Sequence, residues 1–83
     1  MAIDYRGLRS LTGRELIAAL IRDGFHFRRQ SGSHQRNKHP DGRRVTVATH
    51  GRSDTFTIKT LQSIIEAQAR WTEDELRRLN LVD

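Results

Sequence analysis

The sequence predicts an α+β fold in which helices cover one face of a three-stranded antiparallel sheet. Three observations carry that expectation. Short alternating or β-branched stretches, separated by glycine- and proline-containing turns, occupy the middle of the chain. An amphipathic helix with a complete start signal precedes them. A second apolar stripe at helical spacing follows.

The first helix is expected at about 13–23. In Leu11-Thr12-Gly13-Arg14-Glu15-Leu16, Thr12 can cap the helix while Glu15 reaches back to it, and Leu11 and Leu16 stand where a hydrophobic staple needs them. Leu16, Ile17, Leu20 and Ile21 share one face, and Gly24 suits a left-handed end. Phe25-His26-Phe27-Arg28 alternates as a half-buried strand does. Ser31-Gly32-Ser33 reads as a turn, a polar strand runs from His34 to His39, and Pro40-Asp41-Gly42 turns again. Arg44-Val45-Thr46-Val47-Ala48-Thr49 is the third strand. Thr57 caps a second helix carrying Ile58, Leu61, Ile64 and Ile65, and Thr72 with Glu75 forms a second capping box opening a short helix to about Asn80. The expected organisation is a loose arm at 1–10, a domain at 11–70 and a helical extension at 71–83.

A chain of 83 residues allows one domain, and one that buries little more than about 60% of its unfolded surface. It has no cysteine, so disulfide and thiolate chemistry are excluded, which suits a reducing cytoplasm. No apolar run approaches the length of a membrane span, so a cytoplasmic protein without membrane attachment is expected. Charge is unevenly spread. Residues 28–52 carry seven of the fifteen Lys/Arg residues but one of the ten acids, Asp41. Such a segment attracts polyanions by releasing their counterions. The bland alternative, a solvated face, is the weaker of the two because the excess is confined to one segment.

Strand alternation places the polar groups. With Phe25, Phe27, Val45 and Val47 turned inward, His26, Arg28, Thr46, Ala48 and His50 face outward. Since unpaired charge is costly to bury, the middle strand should present His34, Arg36 and Lys38 outward and Gln35, Asn37 and His39 inward. The open face then combines imidazoles with phosphate-binding cations. Metal-free RNA cleavage needs this pairing: a base near neutrality to take the 2′-hydroxyl proton as it attacks phosphorus, and cations to offset charge on the phosphate oxygens. A single strand histidine is by itself more often a plain surface residue. Metal binding is disfavoured, because His34 and His39 fall on opposite faces and no acid joins them. No glycine-rich phosphate loop and no exposed aromatic pair for base stacking are present.

Leu16 to Ile21, Gly24-Phe25, Arg29-Gln30-Ser31-Gly32-Ser33-His34, His39-Pro40, Val45-Thr46-Val47, His50-Gly51 and Thr60-Leu61-Gln62-Ser63-Ile64 follow one another in an order that resembles the HicA toxins of bacterial toxin–antitoxin pairs, over roughly residues 12–70. The resemblance implies a double-stranded-RNA-binding-domain-like fold and a metal-independent endoribonuclease that cleaves mRNA without a cofactor. It makes His34 of the Gly32-Ser33-His34 motif the catalytic residue. Arg28, Arg36, Lys38, Arg44 and His50 are the expected RNA contacts, and the partner implied is a HicB-type antitoxin. Where family members usually carry apolar residues after the motif, this chain reads Gln35-Arg36-Asn37-Lys38. Two other functions fit the same composition: a passive RNA-binding module of this fold, and a protein-interaction domain whose basic face meets an acidic partner. A histidine among the cations favours chemistry, since binding alone is served better by Arg or Lys.

Overall fold

The computed structural model describes residues 3–48 and 54–82. A 3-10 turn at Tyr5–Leu8 leads into α1 (Gly13–Arg22), followed by β1 (His26–Ser31), β2 (His34–Lys38) and β3 (Arg44–Ala48). A second helix starts as α2 (Ile58–Gln62) and widens into a π-helix over Ser63–Gln68. The described chain then closes with α3 (Glu73–Arg78). The sheet is antiparallel in the order β1-β2-β3 and the fold is α+β, as expected.

The start signal of α1 works as read. The Thr12 hydroxyl accepts from the Glu15 amide while the Glu15 carboxylate accepts from the Thr12 amide at 3.0 Å. Gly24 ends the helix with φ +104°, where a side chain would be strained, and a Cβ there would meet His39 Nε2 at 2.9 Å and push that ring aside. Thr57 caps α2 through the Thr60 amide. At α3 only half of the expected box forms: Thr72 accepts from the Glu75 amide, but the Glu75 carboxylate turns to Arg78 instead.

The core lies between the helices and the inner face of the sheet, built on Leu16, Leu20, Phe25, Val45, Val47, Leu61, Ile65 and Trp71. Leu76 and Leu79 join it, so α3 packs on its own chain. The expectation of a loose arm does not hold for residues 5–8. Tyr5 and Leu8 are buried, the Asp4 side chain caps their turn, and the Tyr5 hydroxyl donates to Glu66. The reading of Phe27 also needs correction. It sits on the helix side, opposite buried Asn37, yet remains 55% exposed. The helical layer packs chiefly on β3, so the edge strand β1 extends beyond its cover. On the far edge, Gln68 of the π-helix accepts from the Thr46 amide at 2.8 Å and closes that side of β3.

Candidate functional site

Pairing across the sheet builds the outer face in rows. Ser31 lies opposite His34, which lies opposite Ala48. Arg29, Arg36 and Thr46 form the next row, and His26, Lys38 and Arg44 the one beyond. Successive rows are two strand residues apart, about 6.6 Å. His34, Arg36 and Lys38 are exposed, whereas Gln35 is half-buried and Asn37 is 2% exposed. The outward and inward sets of the middle strand are therefore those expected.

The hairpin that carries the Gly32-Ser33-His34 motif is tight. Ser31 pairs with His34, leaving Gly32 and Ser33 as a two-residue loop with Gly32 at φ +58°. A positive angle at the first loop residue, followed by an ordinary one, matches a II′ turn, whose twist suits the flanking strands. The turn delivers His34 as the first residue of β2. Its ring is exposed and makes no hydrogen bond among the described residues.

A shallow groove of about 310 Å³ crosses the sheet beyond His34, lined by Arg28, Arg29, Arg36, Lys38, Arg44 and Thr46, among others. Among the described residues none of the five cations has an ion pair or a side-chain hydrogen bond. Four of them, Arg28, Arg36, Lys38 and Arg44, were expected there. Arg29 was not. A bulge between Phe27 and Arg29 breaks the alternation of β1 and brings Arg29 opposite Arg36, while Arg28 still lines the groove. The doublet Arg28-Arg29 was visible in the sequence, but nothing local announces a bulge. The remaining expected contact, His50, lies outside the described residues.

Three histidines are described, and they part company. His26 is exposed and stands opposite Lys38, four residues along β2 from His34 and so about 13 Å away. His39 is structural: Nε2 reaches the Asp23 carbonyl at 2.8 Å, Nδ1 accepts from the Asp41 amide at 3.0 Å, and the ring meets Phe25 edge-on. Arg43 belongs to this second region too, bonded to Asp41, Asp23 and the Ala69 carbonyl, with its guanidinium over the Phe25 ring. Asp23 is its hub, accepting from Trp71 Nε1 at 2.9 Å and from Arg78. Burial of that carboxylate pushes its pKa up. The Trp71 and Arg78 hydrogen bonds and the charges of Arg43 and Arg78 outweigh burial and hold it below the ordinary value.

Among the described residues no three His, Asp or Glu side chains come together as metal ligands, and no helix is long and apolar enough to cross a membrane. The outer face can thus offer an exposed imidazole with cations at fixed steps to one side of it.

No curated protein matches the chain significantly. The family model of the HicA toxin of bacterial toxin–antitoxin systems matches residues 13–71. That stretch runs from the first residue of α1 to Trp71, and it contains the motif hairpin, all three strands and the groove. A match over so much of the fold shows that the chain belongs to the HicA toxin family.

Proposed function

We propose that this toxin is a metal-independent endoribonuclease that cleaves mRNA in the cytoplasm with His34 as its catalytic residue, and that a HicB-type antitoxin holds it inactive. The observation that carries the reading is the exposed His34 at the end of a face whose five cations have no ion pair or side-chain hydrogen bond among the described residues. Cations left unpaired on one rigid surface favour a polyanion.

In this mechanism the RNA backbone lies against the groove with one phosphodiester at His34. The imidazole takes the proton of the adjacent 2′-hydroxyl, the 2′-oxygen forms a bond to phosphorus, and the bond from phosphorus to the 5′-oxygen breaks, that oxygen leaving as a hydroxyl with a proton from solvent water. Arg36, in the next row, offsets charge on the non-bridging oxygens. The products carry a 2′,3′-cyclic phosphate and a 5′-hydroxyl. The antitoxin would silence the toxin by covering this face.

The test is cleavage of an mRNA transcript by purified protein in excess EDTA. Cleavage should persist with chelator, leave cyclic-phosphate ends, and fall at least about 10²-fold in folded His34→Ala. An undiminished rate in that variant refutes the assignment. Binding by the wild-type protein without any cleavage would leave only a passive RNA-binding module.

A further inference from the structure

Two arginines adjacent in a regular strand point to opposite faces, so only one of them can serve a given surface. Arg28 and Arg29 escape that rule. The bulge gives β1 one extra residue between Phe27, opposite Asn37, and Arg29, opposite Arg36. Both arginines line the same groove, both are exposed, and neither has an ion pair or side-chain hydrogen bond among the described residues. Arg28 also borders a second shallow hollow with His26, Lys38 and Pro40, which sets it toward the far row.

The rows have a direction. His34 stands at the hairpin end of β2, and the described cations of the groove all follow it on one side. Arg36 and Arg29 come one row on, then Lys38 and Arg44. The step of about 6.6 Å between rows is comparable to the spacing of successive phosphates along an extended polynucleotide strand.

We infer that the β1 bulge makes Arg28 and Arg29 a paired phosphate clamp, which with Arg36, Lys38 and Arg44 holds the backbone of a single RNA strand along β2 on one side of the scissile phosphate. The inference rests on the proposed function for its substrate, and it adds the strandedness, the one-sidedness and the role of Arg29. Two or more phosphates are held to one side of His34. The rows succeed one another along one direction, so the phosphates of one RNA strand suffice to meet them.

Binding tests the clamp without cleavage. His34→Ala protein is titrated with a labelled ten-nucleotide oligouridylate at several salt concentrations. In that background Arg28→Ala and Arg29→Ala should each flatten the plot of log affinity against log salt by about 0.7, the value of one phosphate contact on a single strand. Arg14→Ala, an exposed cation of α1, should leave the slope unchanged. A regular-strand arrangement predicts an effect from one of the two arginines only, and that outcome overturns the clamp. Cleavage tests the direction. Around a mapped cut in a short RNA, single methylphosphonate substitutions should slow the wild-type protein at two neighbouring positions on one side of the cut, tenfold or more, and not on the other. Equal losses on both sides overturn the one-sided track. Full slope effects without cleavage would sustain the clamp and remove catalysis from the proposed function. Cleavage with unaltered slopes would do the reverse.

Discussion

Arg43 and Arg44 are neighbours in the chain and belong to two different regions. Arg43, 16% exposed, sits in a paired network with Asp23, Asp41 and the Ala69 carbonyl, its guanidinium over the ring of Phe25. Arg44 lines the outer groove, exposed and without an ion pair among the described residues. The Asp23 region ties the end of α1 to the β2–β3 turn, to Trp71 and to α3. Among the described residues the side chains of the groove cations tie no elements of the chain together. Charge that is paired and sheltered holds a fold, whereas the same charge left open on a rigid sheet is available to a ligand. Of the cations of residues 28–52, which read in sequence as one basic segment, five line the groove and Arg43 joins the paired network, while Arg52 lies outside the described residues.

The largest expected effect tests the paired region. Asp23→Ala removes the carboxylate shared by Arg43, Arg78 and Trp71, leaving the sheltered Arg43 guanidinium with Asp41 alone and the Trp71 indole N–H without its acceptor. Stability in urea should fall by about 3 kcal/mol, with RNA affinity at a given salt nearly unchanged in the protein that remains folded. Asp23 also sets a pH dependence. Its folded-state pKa lies below its unfolded value, so its stabilisation is fully present above about pH 4 and is lost as pH falls through the depressed folded value. Melting temperature followed from pH 6 to pH 2 should drop steeply in the parent, and less steeply in Asp23→Ala.

The next effect divides the neighbours. Arg43→Ala should cost about 2 kcal/mol through its lost charged hydrogen bonds and leave the salt slope of RNA binding alone. Arg44→Ala should change stability by less than about 0.5 kcal/mol and flatten that slope. If both variants moved the same quantity, the division into two regions would fail.

His39 sharpens the contrast among the histidines. His39→Ala gives up the bond to the Asp23 carbonyl and the edge contact with Phe25, and should cost about 1.5 kcal/mol. The pH profile of cleavage by the folded variant should match the parent. A shifted profile would give His39 a part in the reaction.

The smallest effect is a gain. Asn37 is buried on the inner side of β2, its Oδ1 accepting from Gln35 Nε2 and its Nδ2 without a partner among the described residues. Asn37→Leu replaces an unsatisfied amide by an apolar group of similar size and should stabilise the protein by about 1 kcal/mol in urea. A loss would mean that the amide has a partner worth more than the apolar group.

Most of the local structure was legible because local physics writes it. Thr12 with Glu15, and the hydroxyls of Thr57 and Thr72, satisfy orphan helix amides within four residues of themselves, and strand alternation set Arg36 outward and Asn37 inward without reference to any distant residue. The short sequence motif also singled out His34, and its hairpin is the two-residue turn that glycine permits. Long-range choices were not legible. Whether Phe27 is covered depends on which strand the helices prefer, and whether Tyr5 is loose depends on a carboxylate 61 residues away. Arg28 with Arg29 required a bulge that appears only when β1 is paired with β2. Arg43 and Arg44 could not be told apart from the sequence, since what separates them is Asp23, twenty residues upstream, brought alongside one of them by the fold. Capping, turns and alternation act over a few residues and can be read in order. Pairing register, cover and charge partnership are settled by contacts between distant parts of the chain, so only the tertiary structure decides them.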